Sequence, residues 1–505
     1  MATAVVEERQ LLKSLRWWDG FTIALANPGF LLGDLLFAYG SLGVIGAMVL
    51  WGVSAAIGLM QNWIYSEPAT MFPGRSGGIS LYANEGWRRY TTLVGPIATF
   101  GYWIGWSVVL AIFGNLIGSL IQARWFPGAT WTVWDGTVHL QLSNFIGVGC
   151  VVVVWLFNIF GVKPLTWFTY VTGALLMVPL IVFIIGPYLS GDWHSSNVHW
   201  TLASNEWGGV KIALVWLFLM AWSAYGIEVC ATFTPEYKSR RDSTIALRSA
   251  ATFSLVVFIL LPLGLGGVTG IPPAASQNGI GYVPAFQTIL GSSFLASLML
   301  IFVITSLLLS MAASTADAGR ALYGISKAGL TIKQLGVLNK YNVPGRAMTV
   351  DLVVNTCLIL FISSNLAILY MSNIGYVLCH VLALSGFLLL RKDRPNWPRP
   401  IRVGVVWVAL AGVLAAFNAV ILVVGAGAPK LNGYGTWTDF GIGVGILVAS
   451  VLLFFYRRIV QDKQPIHWSE PTPAMPEGED HDALVAAGAY EAVGLAVPAS
   501  ALGTG

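Results

Sequence analysis

Two apolar stretches of this sequence place acidic side chains close to residues that interrupt helices. The first contains, in order, Asn27, Pro28, Gly29, Gly33 and Asp34. Proline lacks a backbone N–H and disfavours helical backbone at the residue before it. An interrupted helix leaves N–H and C=O groups without partners, and these groups can bind the charged ends of a small ligand. A simple proline kink, with Asp34 at a solvated end, would give the same pattern.

The second stretch runs from Trp222 to Glu228 and includes Tyr225 and Gly226. A carboxylate is costly inside a bilayer, so Glu228 should face a cavity or a partner. Such an acid can carry a proton or contact a substrate. It can also be structural, hydrogen-bonded to a neighbouring broken helix.

The composition indicates whether these residues lie in a soluble protein or in a membrane protein. Of the 505 residues, 56% are hydrophobic and 10% are charged, whereas soluble proteins carry roughly 25% charged residues. A soluble enzyme and a disordered chain are therefore both excluded. The sequence predicts an all-α integral membrane protein.

Twelve segments are long and apolar enough to cross a bilayer as helices. The third and the eighth are long and are expected to tilt. The predicted spans are 20–42, 43–65, 93–121, 143–161, 165–188, 209–233, 246–270, 286–318, 348–364, 366–390, 403–426 and 437–456.

The distribution of basic residues predicts the orientation. With twelve spans, 24 of the 27 Lys and Arg residues fall on one side and three (Arg124, Lys211 and Lys430) on the other. Cytoplasmic loops carry such an excess, so both termini are expected to be cytoplasmic, in a cell (plasma or inner) membrane. The first 16 residues carry several charges, and no cleavable signal peptide is expected.

The two interrupted spans occupy equivalent positions. The first and the sixth each begin a block of five spans, and paired interruptions of this kind are typical of inverted-repeat secondary transporters. We therefore expect a cytoplasmic N-terminus (1–19), a ten-helix transport core (20–402), two further helices (403–460) and a disordered cytoplasmic tail (461–505).

Five motifs lie in matching order between the predicted helices, over roughly residues 20–402. They are Glu67…Phe72-Pro73…Gly77-Gly78…Tyr82, Pro235-Glu236…Lys238…Arg240-Arg241, Arg320…Tyr323…Gly329, Leu338-Asn339-Lys340…Pro344 and Leu390-Arg391…Pro395…Arg399-Pro400. Through these motifs the chain resembles the amino acid–polyamine–organocation (APC) transporters.

This resemblance implies a leucine-transporter-like fold with spans one to five and six to ten as inverted repeats. It also implies alternating access around a central site, in which backbone groups of the broken spans hold the substrate. Carried over by position, the binding residues are those of the two interruptions and one aromatic of the third span: Asn27, Gly29, Gly33, Tyr102, Trp222, Tyr225 and Gly226. Tyr102 and Trp222 are also explained by ordinary helix packing.

The first interruption departs from the Gly-Ser-Gly type that is usual in the family. Pro28 supplies no N–H for a substrate carboxylate. Asp34 and Glu228 could instead favour an amine without a carboxylate, such as ethanolamine or a polyamine. An amino acid and such an amine therefore both remain candidate substrates.

The coupling ion is expected to be H⁺ or Na⁺. Asp34 and Glu228 are the candidates for proton coupling. Ser306, Ser310 and Ser314 recur every four residues and share a helix face, and Ser310 and Ser314 could contribute hydroxyls to a sodium site. Small residues also permit close helix packing, and serine can bond its own backbone.

Other function classes find less support in the sequence. A substrate sensor on a transporter scaffold would favour a long folded cytoplasmic domain, and a channel would favour a ring of pore-lining charges. A membrane enzyme would need clustered acids and histidines, and the sequence contains no metal-ligand spacing, phosphate loop or nucleophile elbow. No enzymatic activity, cofactor, metal or nucleic-acid partner is expected, and the partners are the small substrate, the ion and the lipid bilayer.

Overall fold

The computed structural model describes residues 13–495 except 26, 130, 136–138, 363, 432 and 434, so the predicted N-terminal segment is described only from Lys13. Among these residues helices dominate, and two short strands, β1 (Thr132–Asp135) and β2 (His139–Gln141), pair in antiparallel orientation. The helices are α1 (Trp17–Ala24), α2 (Asn27–Leu31), α3 (Leu35–Met71), α4 (Gly78–Trp87), α5 (Val94–Ser107), α6 (Val109–Trp125), α7 (Leu142–Ile159), α8 (Val162–Ser190), α9 (Val210–Tyr225), α10 (Val229–Thr232), α11 (Arg240–Thr269), α12 (Tyr282–Leu290), α13 (Ser293–Lys327), α14 (Gly345–Phe361), α15 (Asn365–Asp393), α16 (Val405–Ala426), α17 (Trp437–Tyr456), α18 (Gly478–Ala486) and α19 (Ala489–Ala492).

Among the described residues, ten helical segments are long and apolar enough to cross a membrane. They overlap ten of the twelve predicted spans, which confirms an all-α membrane protein. Of the other two predicted spans, 348–364 corresponds to α14, which has 17 residues. The span 20–42 is divided among α1, α2 and the start of α3. The count of twelve therefore stays a prediction.

Gly43 separates the first two predicted spans inside α3. Its φ of 70° lies in the left-handed region and interrupts the helix, a conformation that glycine adopts without steric cost. A Cβ atom at this position would lie 2.6 Å from the carbonyl oxygen of His199. The break therefore also lets the 199–201 loop pack directly against the backbone.

The eighth predicted span begins later than expected. Instead of one helix from residue 286, the chain forms α12 and then α13 from Ser293 to Lys327. Gly291 ends α12 with a φ of 60°, and the Ser292 hydroxyl accepts a hydrogen bond from the Leu295 N–H at the start of α13. A left-handed glycine followed by a serine cap is sufficient to stop one helix and start another.

Packing distinguishes a buried centre from a periphery. α3 packs along α9 and α11, α15 packs along α4 and α5, and α13 contacts α5, α6 and α8. The outer faces of α7, α16 and α17 expose apolar side chains such as Val153, Val423 and Leu452. In a bilayer these faces contact lipid tails, whereas the centre is enclosed by other helices.

The predicted disorder of the tail is not found for residues 461–495. Here α18 and α19 fold against the body of the protein, with Leu484 and Tyr490 buried. Asp480 pairs with Arg75 at 2.8 Å, and Glu470 pairs with Arg88 at 2.9 Å. The acidic residues, which favour disorder in the tail by itself, instead form ion pairs with arginines of the helical body. Residues 496–505 lie outside the described part of the chain.

Candidate functional site

The first predicted interruption consists of two turns with a short helix between them. Helix α1 ends at Ala24, α2 spans Asn27–Leu31, and α3 begins at Leu35. In the second turn, Leu32 and Gly33 donate their N–H groups to the carbonyls three residues earlier. The predicted break at Asn27–Gly33 therefore contains one helical turn, and irregular backbone lies at Leu25 and at 32–34.

The second predicted interruption lies where the sequence placed it. Helix α9 ends at Tyr225, residues Gly226–Glu228 form a single 3₁₀ turn, and α10 follows from Val229. A 3₁₀ turn within a helix redirects the chain and changes which carbonyls are bonded. Glu228 is buried at this turn.

The two interruptions meet at Asn27 and Gly226. A Cβ atom on Gly226 would lie 2.6 Å from the Asn27 side-chain oxygen, so only glycine leaves room for that amide. Asn27 is 1% exposed, and neither its oxygen nor its nitrogen has a hydrogen-bond partner among the described residues. Buried amides are nearly always paired. The junction therefore offers an unused donor and an unused acceptor to a ligand.

Within the described chain, only one of the two Glu228 carboxylate oxygens has hydrogen-bond partners. One of its oxygens, Oε1, accepts hydrogen bonds from Trp106 Nε1 at 3.0 Å and from the Tyr376 hydroxyl at 2.6 Å. The other oxygen, Oε2, is buried and has no hydrogen-bond partner within the described chain. This carboxyl is fixed in position while one oxygen stays available for a proton or a cation.

Trp222 belongs to an aromatic layer. Its ring stacks on Phe30 with centroids 5.0 Å apart, and its Nε1 donates to the Gly105 carbonyl at 2.8 Å. Phe113 contacts both rings, and Trp106 contacts Phe30. The layer joins α2, α6 and α9 with α5, so Trp222 has packing partners and also lies beside the first interruption.

Tyr102 and Tyr225 flank the same region. The Tyr102 hydroxyl lies 3.0 Å from the Thr232 hydroxyl and donates to Asp317 at 3.1 Å. The Tyr225 ring lies edge-on to His380 at 5.0 Å. The Tyr225 hydroxyl is buried without a hydrogen-bond partner in the described ranges.

The structure brings Ser310 to the first interruption. A Cβ atom on Gly29 would lie 2.6 Å from the Ser310 hydroxyl oxygen. Ser310 donates to the Ser306 carbonyl at 3.2 Å, and Ser314 donates to the Ser310 carbonyl at 2.7 Å. Both hydroxyls thus bond their own helix, as the packing interpretation predicts, while Ser310 also contacts the broken span.

Asp34 and Gly33 lie at the other end of α2 from Asn27. A Cβ atom on Gly33 would lie 3.1 Å from the Phe113 ring. The Asp34 carboxyl is fully buried, and neither oxygen has a hydrogen-bond partner among residues the structure describes. Nearby, the Tyr282 hydroxyl donates to the Leu32 carbonyl at 2.8 Å. Asp34 and Glu228 therefore belong to different parts of the site.

Three further site residues were not identified from the sequence. Asp317 lies inside a predicted span, so the rule that singled out Glu228 also applies to it. Trp106 and Tyr376 contact Glu228 only because the chain folds. Nothing local distinguishes them from the other aromatic residues of this sequence.

Two acids of the quoted motifs pair with arginines of other quoted motifs. Arg320 forms a buried, two-pronged ion pair with Glu236. Glu67 pairs with Arg391 and with Arg399. A buried ion pair with both partners in place avoids the cost of an isolated buried charge.

Glu85 pairs with three guanidinium groups. The distances are 2.8 Å to Arg75, 3.1 Å to Arg88 and 2.6 Å to Arg394. Burial alone would raise the pKa of the Glu85 carboxyl, but these three cations together lower that pKa to about 2. Helix α4 is thereby fastened to the end of α15.

Main-chain hydrogen bonds join the N-terminal segment at residues 14 and 15 to the residues that follow the sixth predicted span. Ser14 and Leu15 donate their N–H groups to the Glu236 carbonyl, both at 2.9 Å, and Lys238 donates its N–H to the Leu15 carbonyl at 2.8 Å. Together with the Glu236–Arg320 pair, these bonds hold residues 14 and 15 against the turn that follows α10. Trp222 is 1% exposed and Glu228 is fully buried, so a ligand can enter only if helices move.

Comparisons with known proteins agree with this architecture. Residues 15–453 match the amino acid permease family. A cadaverine/lysine antiporter of Escherichia coli K12 is 25% identical, covering 64% of this chain and 69% of its own. A gamma-aminobutyric acid permease of Bacillus subtilis is 22% identical, covering 74% and 80%. A polyamine transporter of rice (Oryza sativa subsp. japonica) is 22% identical, covering 86% and 76%.

Proposed function

This chain belongs to the amino acid permease family, and on that basis we propose that it is a secondary active transporter. It moves an amino acid or a related amine across the membrane by alternating access. The names of its relatives support this range of substrates, since they include an amino acid permease and amine transporters.

The observation that carries the proposal is the junction of the two interruptions. The Asn27 amide, the Glu228 Oε2 atom and the Tyr225 hydroxyl are buried close to the 226–228 turn, and none of them has a hydrogen-bond partner in the described part of the chain. Leaving such groups without partners costs roughly 1–3 kcal/mol each. A bound polar ligand that pairs with them recovers that energy.

Each predicted site residue then has a role in the proposal. Asn27 and the backbone around Gly29, Gly33 and Gly226 hold the charged groups of the substrate. The aromatic side chains Tyr102, Trp222 and Tyr225 cover it. Alternating access follows from the closed state, because binding and release both require the helices around the junction to separate.

We further propose the arrangement that the sequence predicts. It has twelve spans, spans one to five and six to ten related as inverted repeats, and both termini in the cytoplasm of a cell with the chain in its plasma or inner membrane. The core is residues 20–402, and residues 403–460 add two peripheral helices. The basic loops, which carry most of the Lys and Arg residues, support this orientation.

For coupling, we propose H⁺ through Glu228. Its hydrogen-bonded Oε1 and its Oε2, which has no hydrogen-bond partner among the residues described, support a carboxyl that exchanges a proton without moving. A sodium site at Ser310 and Ser314 is the alternative, and the contact of Ser310 with Gly29 favours Ser310 over Ser314 as its member. Asp34 remains a second candidate for proton or cation binding.

A second candidate substrate is an amine without a carboxylate. The side chains named at the junction supply a carboxylate, an amide and hydroxyls but no cation, and Pro28 supplies no N–H. This set suits an ammonium group better than a carboxylate. A third candidate function is that of a sensor, which would bind the same ligand at the same site without transporting it.

Uptake into proteoliposomes tests these proposals. Lysine, γ-aminobutyrate, D-alanine, cadaverine, putrescine and ethanolamine would each be offered with a proton gradient and, separately, with a sodium gradient. Uptake of amines alone supports the amine carrier, and uptake of zwitterions supports the amino acid carrier. A ligand that raises the melting temperature but is never taken up would establish the sensor instead.

A matched pair of variants tests the site. Asn418 in α16 is buried like Asn27, but its amide nitrogen donates to the Leu414 carbonyl at 2.9 Å. Asn27→Ala should raise KM roughly tenfold, the equivalent of one lost hydrogen bond. Asn418→Ala should leave KM unchanged. Equal KM values for both variants would remove Asn27 from the site.

A further inference from the structure

A basic pocket lies outside the proposed transport site. It has a volume of about 430 Å³ and lies among the N-terminal segment at Lys13, the loop before α11 and the end of α18. Its lining includes Lys13, Lys238, Arg240 and Arg241, together with hydroxyls such as those of Ser239 and Ser243. No acidic residue is among the described residues that line it.

The nearby acids are already engaged. One Asp242 oxygen accepts the Trp17 N–H at 3.0 Å, and the other accepts the Ser239 hydroxyl at 2.6 Å. The carboxylate of Glu236 is held by Arg320. Arg320 therefore neutralises Glu236, whereas Asp242, which is held by uncharged donors, offsets only one of the four cations of the pocket.

The cations of the pocket have few partners. The Arg240 guanidinium donates to the Gly488 carbonyl at 2.7 Å. The side chains of Lys13, Lys238 and Arg241 form no hydrogen bond or ion pair with any residue that the structure describes, and all three are exposed. Four like charges around one cavity repel one another unless an anion lies between them.

We propose that this pocket binds a phosphate-bearing anion. Lys and Arg side chains are the usual partners of phosphate, because they donate charge-assisted hydrogen bonds to its oxygens. The N-terminus of α11, a 30-residue helix capped by Ser239, adds a favourable dipole at the same place. The volume falls within the range of roughly 300–1,000 Å³ typical of small-molecule sites, so it holds more than a bare phosphate.

The phosphate can belong to a lipid headgroup or to a soluble molecule. Trp17 and Trp18, which are 37% and 39% exposed, follow Lys13 closely. Exposed tryptophans are typical of the membrane–water interface, which places a lipid headgroup within reach. The general excess of basic residues on one side explains how many cations are present, but it does not explain why four of them surround one cavity.

The test uses purified full-length protein and two probes. Inorganic phosphate is titrated by calorimetry in detergent, and phosphatidylglycerol is compared with phosphatidylcholine by native mass spectrometry. The test variant is Lys238→Gln/Arg241→Gln. The matched control, Lys340→Gln/Arg346→Gln, removes two exposed cations that lie outside the pocket. Melting temperatures show that both variants are folded.

Each cation near an anionic group changes affinity roughly fivefold, so the test variant should bind about 25-fold more weakly. The control should bind like the wild type. Binding of phosphate together with lipid, or of phosphate alone, supports a soluble ligand, and selective binding of phosphatidylglycerol alone supports a headgroup. Absence of binding by the wild type, an unchanged test variant or an equal loss in the control would each overturn the proposal. None of these outcomes depends on transport.

Discussion

Alanine at Gly29 should impair transport through a single contact that a second substitution can remove. The added Cβ would lie 2.6 Å from the Ser310 hydroxyl oxygen, about 0.8 Å inside ordinary van der Waals contact. Either α2 shifts or Ser310 rotates and gives up its hydrogen bond to Ser306. Overpacking of this kind costs about 1–3 kcal/mol.

The contact is specific enough to be reversed. In Gly29→Ala/Ser310→Ala, the hydroxyl is absent, and the nearest atoms to the new Cβ are the Ser306 carbonyl oxygen at 3.7 Å and the residue-310 Cβ at 3.9 Å. Both distances are ordinary contacts. The double variant should therefore relieve the steric overlap that the single variant introduces.

Initial uptake rates in proteoliposomes measure the effect. If the strain appears fully in the transporting conformation, Gly29→Ala should slow uptake by roughly 5- to 150-fold, and the double variant should return most of that loss. Gly445→Ala in α17 is the control, since no other part of the described structure lies within 4 Å of its Cβ position. Uptake by Gly29→Ala at the wild-type rate would refute the close packing of α2 on α13.

The same variants separate packing from ion binding at Ser310. If Ser310 only packs, Ser310→Ala alone transports normally and the double variant recovers. If its hydroxyl binds sodium, Ser310→Ala loses its dependence on the sodium gradient, and the double variant stays inactive although its melting temperature recovers. The packing and sodium-binding interpretations thus predict opposite uptake rates for Gly29→Ala/Ser310→Ala.

Three further predictions concern buried acids. Glu228→Gln keeps the hydrogen-bonding shape but cannot ionise, so it should bind substrate while a proton gradient no longer drives its uptake; gradient-driven uptake at the wild-type rate would contradict this. Glu236→Gln leaves Arg320 buried without its counter-charge and should destabilise the purified protein by about 3–5 kcal/mol, which thermal unfolding would detect; an unchanged melting temperature would show that the pair contributes little. The Glu85 carboxyl has a folded-state pKa of about 2 against a usual 4.5. Its contribution to the free energy of unfolding is therefore complete above pH 4.5 and is lost as the pH falls towards 2. It amounts to on the order of 3 kcal/mol, and the stability difference between wild type and Glu85→Gln should shrink over that interval; a constant difference would contradict the assignment.

Local signals in the sequence predicted the helices well. Length and hydropathy located ten spans, because a bilayer imposes the same requirement on every helix that crosses it. Glycine and proline located the breaks, since their backbone preferences act within one or two residues. Gly226 lies at an interruption that the sequence predicted and the structure contains, whereas Gly43 was not identified from the sequence as the residue that breaks α3.

Contacts between distant parts of the chain could not be predicted in this way. Tyr376 reaches Glu228 across 148 residues, and Trp106 reaches it across 122. Neither residue carries a local pattern that distinguishes it from the other aromatic residues. Asp317 is different, because an acid inside a span is a local signal that applies to it as much as to Glu228.

The tail shows how composition can mislead. Its abundant Ala, Gly and Pro residues and its acids favour disorder in isolation, because such a segment buries little apolar surface. In the folded protein Asp480 meets Arg75, and Leu484 and Tyr490 are buried. Arg75, the partner of Asp480, lies 405 residues away along the chain, so the composition of the tail alone does not reveal it.

Under the proposed alternating-access mechanism, the ion pairs of the motifs would have to separate and re-form. Separating an apolar contact of α3 or α13 would expose surface at a cost of roughly 25 cal/mol per Å², which nothing in water offsets. Separating Arg320 from Glu236 loses a Coulomb attraction, but both groups regain their hydration once water enters. The two terms are of similar size for buried pairs. A closed and an open state can therefore differ by little free energy, even though the closed pair fixes the geometry tightly. If transport proceeds by alternating access, this balance would explain why these contacts of the motifs are charged rather than apolar. The aromatic layer around Trp222 would remain packed on the substrate side.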